Sequence, residues 1–233
     1  MMVALAGAAF PSTIVNVQFV GPGTSVSDPS GVAVTPYVIQ IGGVQQLVTC
    51  YDYVDHIDYN QTWQAYEYSL DDAVNHGLFS SGFGDAETGY KSIGWLSTQT
   101  YSDADHEVGL QYAIWSVFEN GSLNFAQLTS GEWDAYQDYE TALNAQINYV
   151  DPITTLATPF NGFDFSHTVF LEPTSGAVGG QNPDTPQPFV FAIDPDGGNQ
   201  SSTPEPGTLV MIGSGLLCLL SSLGFKRFAG KNS

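Results

Sequence analysis

The hydrophobic pattern of this chain changes period twice, and that order constrains the fold more than any other feature. Over residues 13–20 (TIVNVQFV) apolar and polar residues alternate, as in a half-buried strand. Residues 37–41 and 44–51 flank Gly42-Gly43, a pair that tolerates the positive φ of a tight turn, so they predict a β-hairpin with Cys50 near the end of its second arm. Residues 63–68, around Trp63, add a further strand. The middle then repeats every three or four residues. Residues 86–96 read as a helix. Val108, Gln111, Ile114, Trp115 and Phe118 share one face of a second helix over 107–118, with Asp103 or Asp105 as its N-cap and Gly121 at its end. Ser130 is placed to cap a third, running through Trp133, Tyr136, Leu143 and Ile147. Strand patterns return at 163–171 and 189–193. Strands, helices, strands: that order predicts an α+β domain, a mainly antiparallel β-sandwich or barrel with an inserted helical section. There is no internal repeat.

The two ends read as address labels. Residues 208–225 (TLVMIGSGLLCLLSSLGF) carry no charge and are followed at once by Lys226-Arg227. About 17–25 apolar residues cross a bilayer, so one C-terminal transmembrane helix is expected over 208–225. The basic flank belongs on the cytoplasmic side, which places the bulk of the chain outside. A buried core helix is the bland alternative, but the run is terminal and polar-capped on both sides. Residues 1–11 are apolar and small, like the end of a secretory signal peptide that lacks its basic n-region. The expected organisation is therefore a signal remnant at 1–11, a folded domain at 12–193, a flexible linker at 194–203 and a C-terminal segment at 204–231. Pro204, Glu205 and Pro206, then the apolar span, then Lys226 and Arg227 resemble the PEP-CTERM sorting signal of Gram-negative bacteria. That resemblance implies processing by an exosortase, at least transient membrane anchoring through 208–225, and delivery to the cell envelope, cell surface or extracellular matrix.

Charge agrees with export and excludes one class of partner. The chain has 24 Asp and Glu against 4 Lys and Arg. Removing Glu205 from the 24 acids leaves 23 in residues 1–203, against Lys91 alone, a net −22. No basic stripe exists to meet phosphates, so nucleic acid is excluded as a partner. Few lysines would suit a chain that carries a reactive acyl group, but no such chemistry requires them to be few, and an acidic surface kept for solubility is the favoured reading.

Cysteine is as sparse. Cys218 sits in the apolar span, which leaves Cys50 without a partner for an internal disulfide. Three readings of Cys50 stand open: a buried small hydrophobe, a hydrolase nucleophile paired with His56, His106 or His167, or a cysteine acylated by another side chain. Thr49-Cys50-Tyr51-Asp52, the strand around Trp63, Tyr90 with Gly94-Trp95-Leu96, and Leu110-Gln111-Tyr112-Ala113-Ile114-Trp115 occur in that order. Over about residues 36–193 this resembles the thioester domain of bacterial surface proteins, in which a Cys and the Gln of a Thr-Gln-x-x-φ-Trp pattern form an internal thioester. The matching pair is Cys50 and Gln111, with Ala113, Ile114 and Trp115 completing the motif. Leu110 stands where the family has Thr. The resemblance implies covalent attachment, once per molecule, to an amine nucleophile on a partner, surface or matrix. That is not enzymatic turnover. Trp95, Ala113, Ile114 and Trp115 are expected to pack around the pair. His106, one turn before Gln111, is a candidate for proton transfer. The alternative function is a non-covalent matrix or carbohydrate-binding module of the same fold, with Tyr51, Tyr53, Tyr59 and Tyr66 as its face. A cysteine hydrolase is the third reading.

Two acidic clusters, Asp52, Asp55, His56 and Asp58, then Asp103, Asp105, His106 and Glu107, have oxygen ligands of the kind calcium prefers. Neither follows an EF-hand pattern, and clusters are expected in so acidic a chain, so no metal is assigned. No zinc spacing, phosphate loop or nucleotide fingerprint calls for a cofactor.

Overall fold

The alternating run at the N-terminus forms β1 (Thr13–Pro22), and the hairpin follows as β2 (Tyr37–Ile41) and β3 (Val44–Cys50). Gly42 and Gly43 turn it with φ of 57° and 90°, a pair of values that side chains with a Cβ rarely adopt. Next come β4 (Thr62–Tyr68) and, after the helical section, β5 (Thr168–Pro173) and β6 (Phe189–Ala192). This is a computed structural model describing residues 13–55, 57–78, 85–119, 123–174 and 186–193. The six strands close into a barrel in the order β1-β2-β3-β6-β5-β4, antiparallel throughout, with β4 returning to β1.

Between β4 and β5 the chain makes α1 (Leu70–His76), α2 (Ala86–Leu96), α3 (Ala104–Phe118) and α4 (Ser130–Ile147). The expected α+β architecture with an inserted helical section is present, and its β part is a closed barrel rather than a sandwich. The transmembrane helix expected at 208–225 and the sorting signal from Pro204 to Arg227 lie outside the described residues. No helix among the described residues is long and apolar enough to cross a membrane.

Period two decides which side chains fill the barrel. Val17 and Phe19, Tyr37 and Ile39, Val48 and Cys50, Trp63 and Ala65, Val169 and Leu171, Phe189 and Phe191 form one buried cluster, a pair from each strand. Side chains of the opposite parity, Tyr68, Phe170 and Val190, join the helices instead. They pack in a second cluster with Tyr90, Ile93, Leu96, Ile114 and Trp115. Cys50 therefore ends a strand inside the barrel, while Tyr51 after it already belongs to the helical core.

A buried carboxyl ties β5 to the helical core. Glu172 of β5 accepts hydrogen bonds from Tyr51 (3.0 Å), from Tyr90 of α2 and from the Leu78 backbone N–H (2.7 Å). Burial pushes the Glu172 pKa up, and these donors hold it back.

The differences from the expected elements have local causes. β5 begins at Thr168 because a 3₁₀ turn, Phe165–His167, capped by Asp164, occupies the start of the apolar run. Helix α1 was absent from the pattern because it buries only Ala73; Ser69 caps it. Asp103, not Asp105, caps α3, and that helix ends at Phe118 with Glu119 as its C-cap; Gly121 is outside the described residues. Thr129, not Ser130, caps α4, through a capping box with Glu132.

Helices α3 and α4 touch backbone to backbone at Gly109, where a Cβ would stand 2.7 Å from both the Ala135 Cβ and the Tyr136 N. Gly109→Ala is expected to destabilise the fold by about 1–3 kcal/mol, although alanine gains about 1 kcal/mol in helix propensity. A chemical denaturation midpoint equal to or above wild type would show that the helices can part without cost.

Candidate functional site

Cys50 is the last residue of β3 and pairs with Phe189 of β6. It is fully buried, and its thiol donates to the Asp52 carbonyl at 3.0 Å. Burial pushes the thiol pKa well up, and the charges of Asp52 and Asp55 add to the rise. The Asp52 backbone and the Trp115 indole oppose it. Near neutral pH Cys50 is thus a protonated thiol enclosed by the barrel.

Gln111, on α3, is buried as completely. Its carboxamide is held at both ends by backbone. Nε2 donates to the Cys50 carbonyl at 2.7 Å, and Oε1 accepts from the Thr35 N–H at 3.0 Å. The loop carrying Thr35 is fastened to β3 by the hydroxyl pair Thr35–Thr49 at 2.9 Å. Helix α3 therefore delivers an amide to the barrel residue whose thiol is the domain's lone sulfur nucleophile. A backbone N–H polarises the amide carbonyl as an oxyanion-stabilising donor does.

The motif residues around the pair take the places expected of packing. Ala113, Ile114 and Trp115 are fully buried, and Trp95 lies in the same helical core. Trp115 packs against Tyr53 (4.9 Å between centroids) and Tyr112 (5.4 Å). Its indole Nε1 is buried without a hydrogen-bond partner among the described residues, although it lies close enough to the Cys50 sulfur to favour the thiolate. An unpaired buried donor costs about 1–3 kcal/mol.

His106 is not brought to the pair. Its Nδ1 lies 2.8 Å from the Asp103 carboxylate and 3.2 Å from Ser102, and its ring faces Tyr139. Bonds from His106 and Ser102 hold the Asp103 pKa down to about 2. These contacts make His106 part of the capped start of α3. His167 sits in the 3₁₀ turn before β5, and His56 is outside the described residues. The proposed tyrosine face does not assemble either. Tyr51 is fully buried against Tyr90, Phe118 and Phe170, Tyr66 stacks on Tyr68, Tyr53 meets Trp115, and Tyr59 alone is largely exposed, at 64%. Among the described residues no group of three or more His, Cys, Asp or Glu is placed to hold a metal ion.

Sequence reasoning missed Thr35 and Gln187 and gave Thr49 no role of its own. Thr35 contributes a main-chain N–H, which no residue type announces. Gln187 is buried, and its Nε2 donates to the Asp52 carbonyl at 3.5 Å and to that of Asp55. Lys91, the one basic side chain expected in the domain, is ion-paired with Glu87 on α2.

Comparison of the chain with family models, curated proteins and solved structures finds no match. The functional reading stands on the residues and their geometry.

The two-ended clamp on Gln111 has a measurable consequence. In a Cys50→Ala background, where no acyl chemistry is open to it, Gln111→Leu leaves the Thr35 N–H and the Cys50 carbonyl buried and unpaired. A loss of about 2–6 kcal/mol is expected in denaturant titration, from about 1–3 kcal/mol for each of the two orphaned groups. No loss would mean that the amide does not bridge the two sections.

Proposed function

We propose that this chain is an exported, surface-directed protein whose domain forms an internal thioester between Cys50 and Gln111 and then attaches covalently to an amine on a partner or surface. The observation that carries this reading is the buried Gln111 carboxamide, pinned at both ends against the Cys50 backbone and the Thr35 N–H. An amide is a poor electrophile and a protonated thiol a poor nucleophile, so the reaction depends on placement. Fixed proximity of two groups supplies about 7–11 kcal/mol of a barrier, and one well-aimed donor to the developing oxyanion about 3–4 kcal/mol.

In the first step the Cys50 sulfur attacks the Gln111 side-chain carbonyl carbon. A C–S bond forms and the C–N bond breaks. The thiol proton leaves with the amide nitrogen as ammonia. The Thr35 N–H faces the oxygen that takes up negative charge, and the Trp115 N–H favours the sulfur anion. In the second step a primary amine attacks the same carbon. The C–S bond breaks, a new C–N bond forms, and a proton from the amine returns to sulfur. The Gln111 side chain ends as a secondary amide joined to the partner, and Cys50 is a thiol again. Each molecule reacts once, so this is attachment and not turnover.

The terminal labels complete the proposal. Pro204, Glu205 and Pro206, the apolar span 208–225 and the basic pair Lys226-Arg227 mark the chain for exosortase-type processing, membrane insertion that is at least transient, and display on the envelope of a Gram-negative bacterium. A cysteine hydrolase gains no support: the thiol is enclosed, and His106 is engaged elsewhere.

Incubating the detergent-solubilised full-length chain with a biotin-linked primary amine tests the reading. The expected label survives denaturing electrophoresis, maps to Gln111, and is lost in Cys50→Ala and in Gln111→Ala. Wild-type protein that takes up no label, or Cys50→Ala that takes up as much as wild type, would sink it.

A further inference from the structure

We infer that the tight turn after α4, which carries Val150, Ile153 and Leu156, is a membrane-touching tip: it enters the headgroup interface of the bilayer that receives residues 208–225 and seats the domain on that surface. The inference rests on the membrane span of the reading above and is independent of the thioester.

Exposed apolar side chains are concentrated on this turn. Among the described residues ten large hydrophobics are exposed, and three of them, Val150, Ile153 and Leu156, fall within seven consecutive positions. Ile153 is the most exposed of the ten, at 90%. Single surface hydrophobics are ordinary; three gathered on one projecting turn mark a contact surface. Charge withdraws from the same stretch. Residues 152–163 (PITTLATPFNGF) contain no ionisable side chain, in a chain with 24 acids.

The backbone of the turn already suits an apolar medium. Val150 and Ala157 pair as an isolated β-bridge. Inside it the Asp151 N–H donates to the Leu156 carbonyl at 3.0 Å, and the Thr155 N–H to the Asp151 carbonyl at 2.8 Å. The N–H groups of Ile153 and Thr154 donate to the Asp151 carboxylate at 2.7 and 3.0 Å. Pro152 has no N–H. Every N–H from 151 to 155 is therefore used within the turn. Unpaired backbone groups are what exclude ordinary loops from lipid, and the donors here need no water.

The place where the chain leaves the domain identifies the occupant. The turn leads on to Phe160 and Phe163, whose rings lie 5.8 and 4.4 Å from that of Phe165 in the 3₁₀ segment Phe165–His167. The His167 carbonyl accepts the N–H of Ile193, itself exposed, at 2.7 Å. The chain thus departs beside the segment that bears the turn. Residues 194–207, 14 in all, then lead to the apolar run that begins at Thr208. Fully extended they reach at most about 50 Å, so an inserted span keeps the domain within that distance of the bilayer. Docking is then intramolecular, and a contact of few side chains suffices. Three side chains on a convex turn are too few for a protein interface, which takes about 800 Å² from each partner. A bilayer interface demands apolar area and no matching shape.

The test places the full-length chain in phosphatidylcholine vesicles. Cys218→Ser removes the thiol of the span, and Cys50 is buried. An environment-sensitive fluorophore is attached at Ile153→Cys or, as a control, at Val44→Cys, which is exposed at the start of β3. Resistance to alkaline carbonate extraction establishes insertion first. The Ile153 label is expected to shift to the blue and to be quenched by lipids brominated on their acyl chains, with neither change at Val44. Leu156→Asp should lower the docked-to-free ratio by about tenfold or more, the effect of one apolar side chain withheld from burial, and leave the denaturation midpoint where it was. Quenching at Ile153 no greater than at Val44, or quenching that Leu156→Asp leaves unchanged, overturns the inference and leaves the span standing. A blue shift without lipid quenching that grows with protein density assigns the turn to a second copy of the chain and also overturns it. Release of the chain by carbonate overturns the span and this inference with it.

Discussion

The Gln111 carboxamide crosses from the helical section to the barrel, and its two hydrogen bonds fix the rest of the site. Nε2 reaches the carbonyl of the residue that also bears the thiol, and Oε1 reaches a loop that is itself fastened to β3 through Thr49. Both atoms are buried, so neither has water as an alternative partner. The helix, the strand and the loop must therefore keep their relative positions for the amide to remain satisfied. The backbone contact at Gly109 and the Glu172 cluster act to the same end, by holding α3 on α4 and β5 on α2.

Burial works in two directions at this site. It raises the thiol pKa and so weakens the nucleophile. It also excludes water, which would hydrolyse a thioester, and lets the Thr35 and Trp115 N–H groups act without competing solvent. The proposed reaction draws on fixed proximity, worth about 7–11 kcal/mol in well-oriented systems, to offset the protonated thiol.

Much of the fold was legible because the chain obeys simple periods. Alternation gave β1, Gly42-Gly43 gave the hairpin of β2 and β3, and the three-four spacing of Val108, Gln111, Ile114 and Trp115 gave α3. Where both faces are buried the period vanishes. β5 is buried along its whole length, and its start was misplaced onto the 3₁₀ turn before it. Helix α1 escaped because one buried alanine makes no stripe. Cys50 and Gln111 were legible as residue types, one a solitary sulfur and one an amide within a Trp-bearing helix. The Thr35 N–H was not, since it belongs to main chain in a loop, and Gln187 was not, because its meaning comes from sharing the Asp52 carbonyl with a thiol far away in sequence. The tyrosines misled for the converse reason: they look like a surface face in sequence, but the barrel and helices bury or separate them.

The central claim is a covalent bond between Cys50 and Gln111, and proteolysis of the untreated full-length chain followed by peptide mass analysis tests it most directly. The account predicts that the segments bearing Cys50 and Gln111 are recovered joined, lighter than their sum by one ammonia, and separable by methylamine. Recovery as two separate peptides, with Cys50 open to alkylation and Gln111 an intact amide, would contradict it.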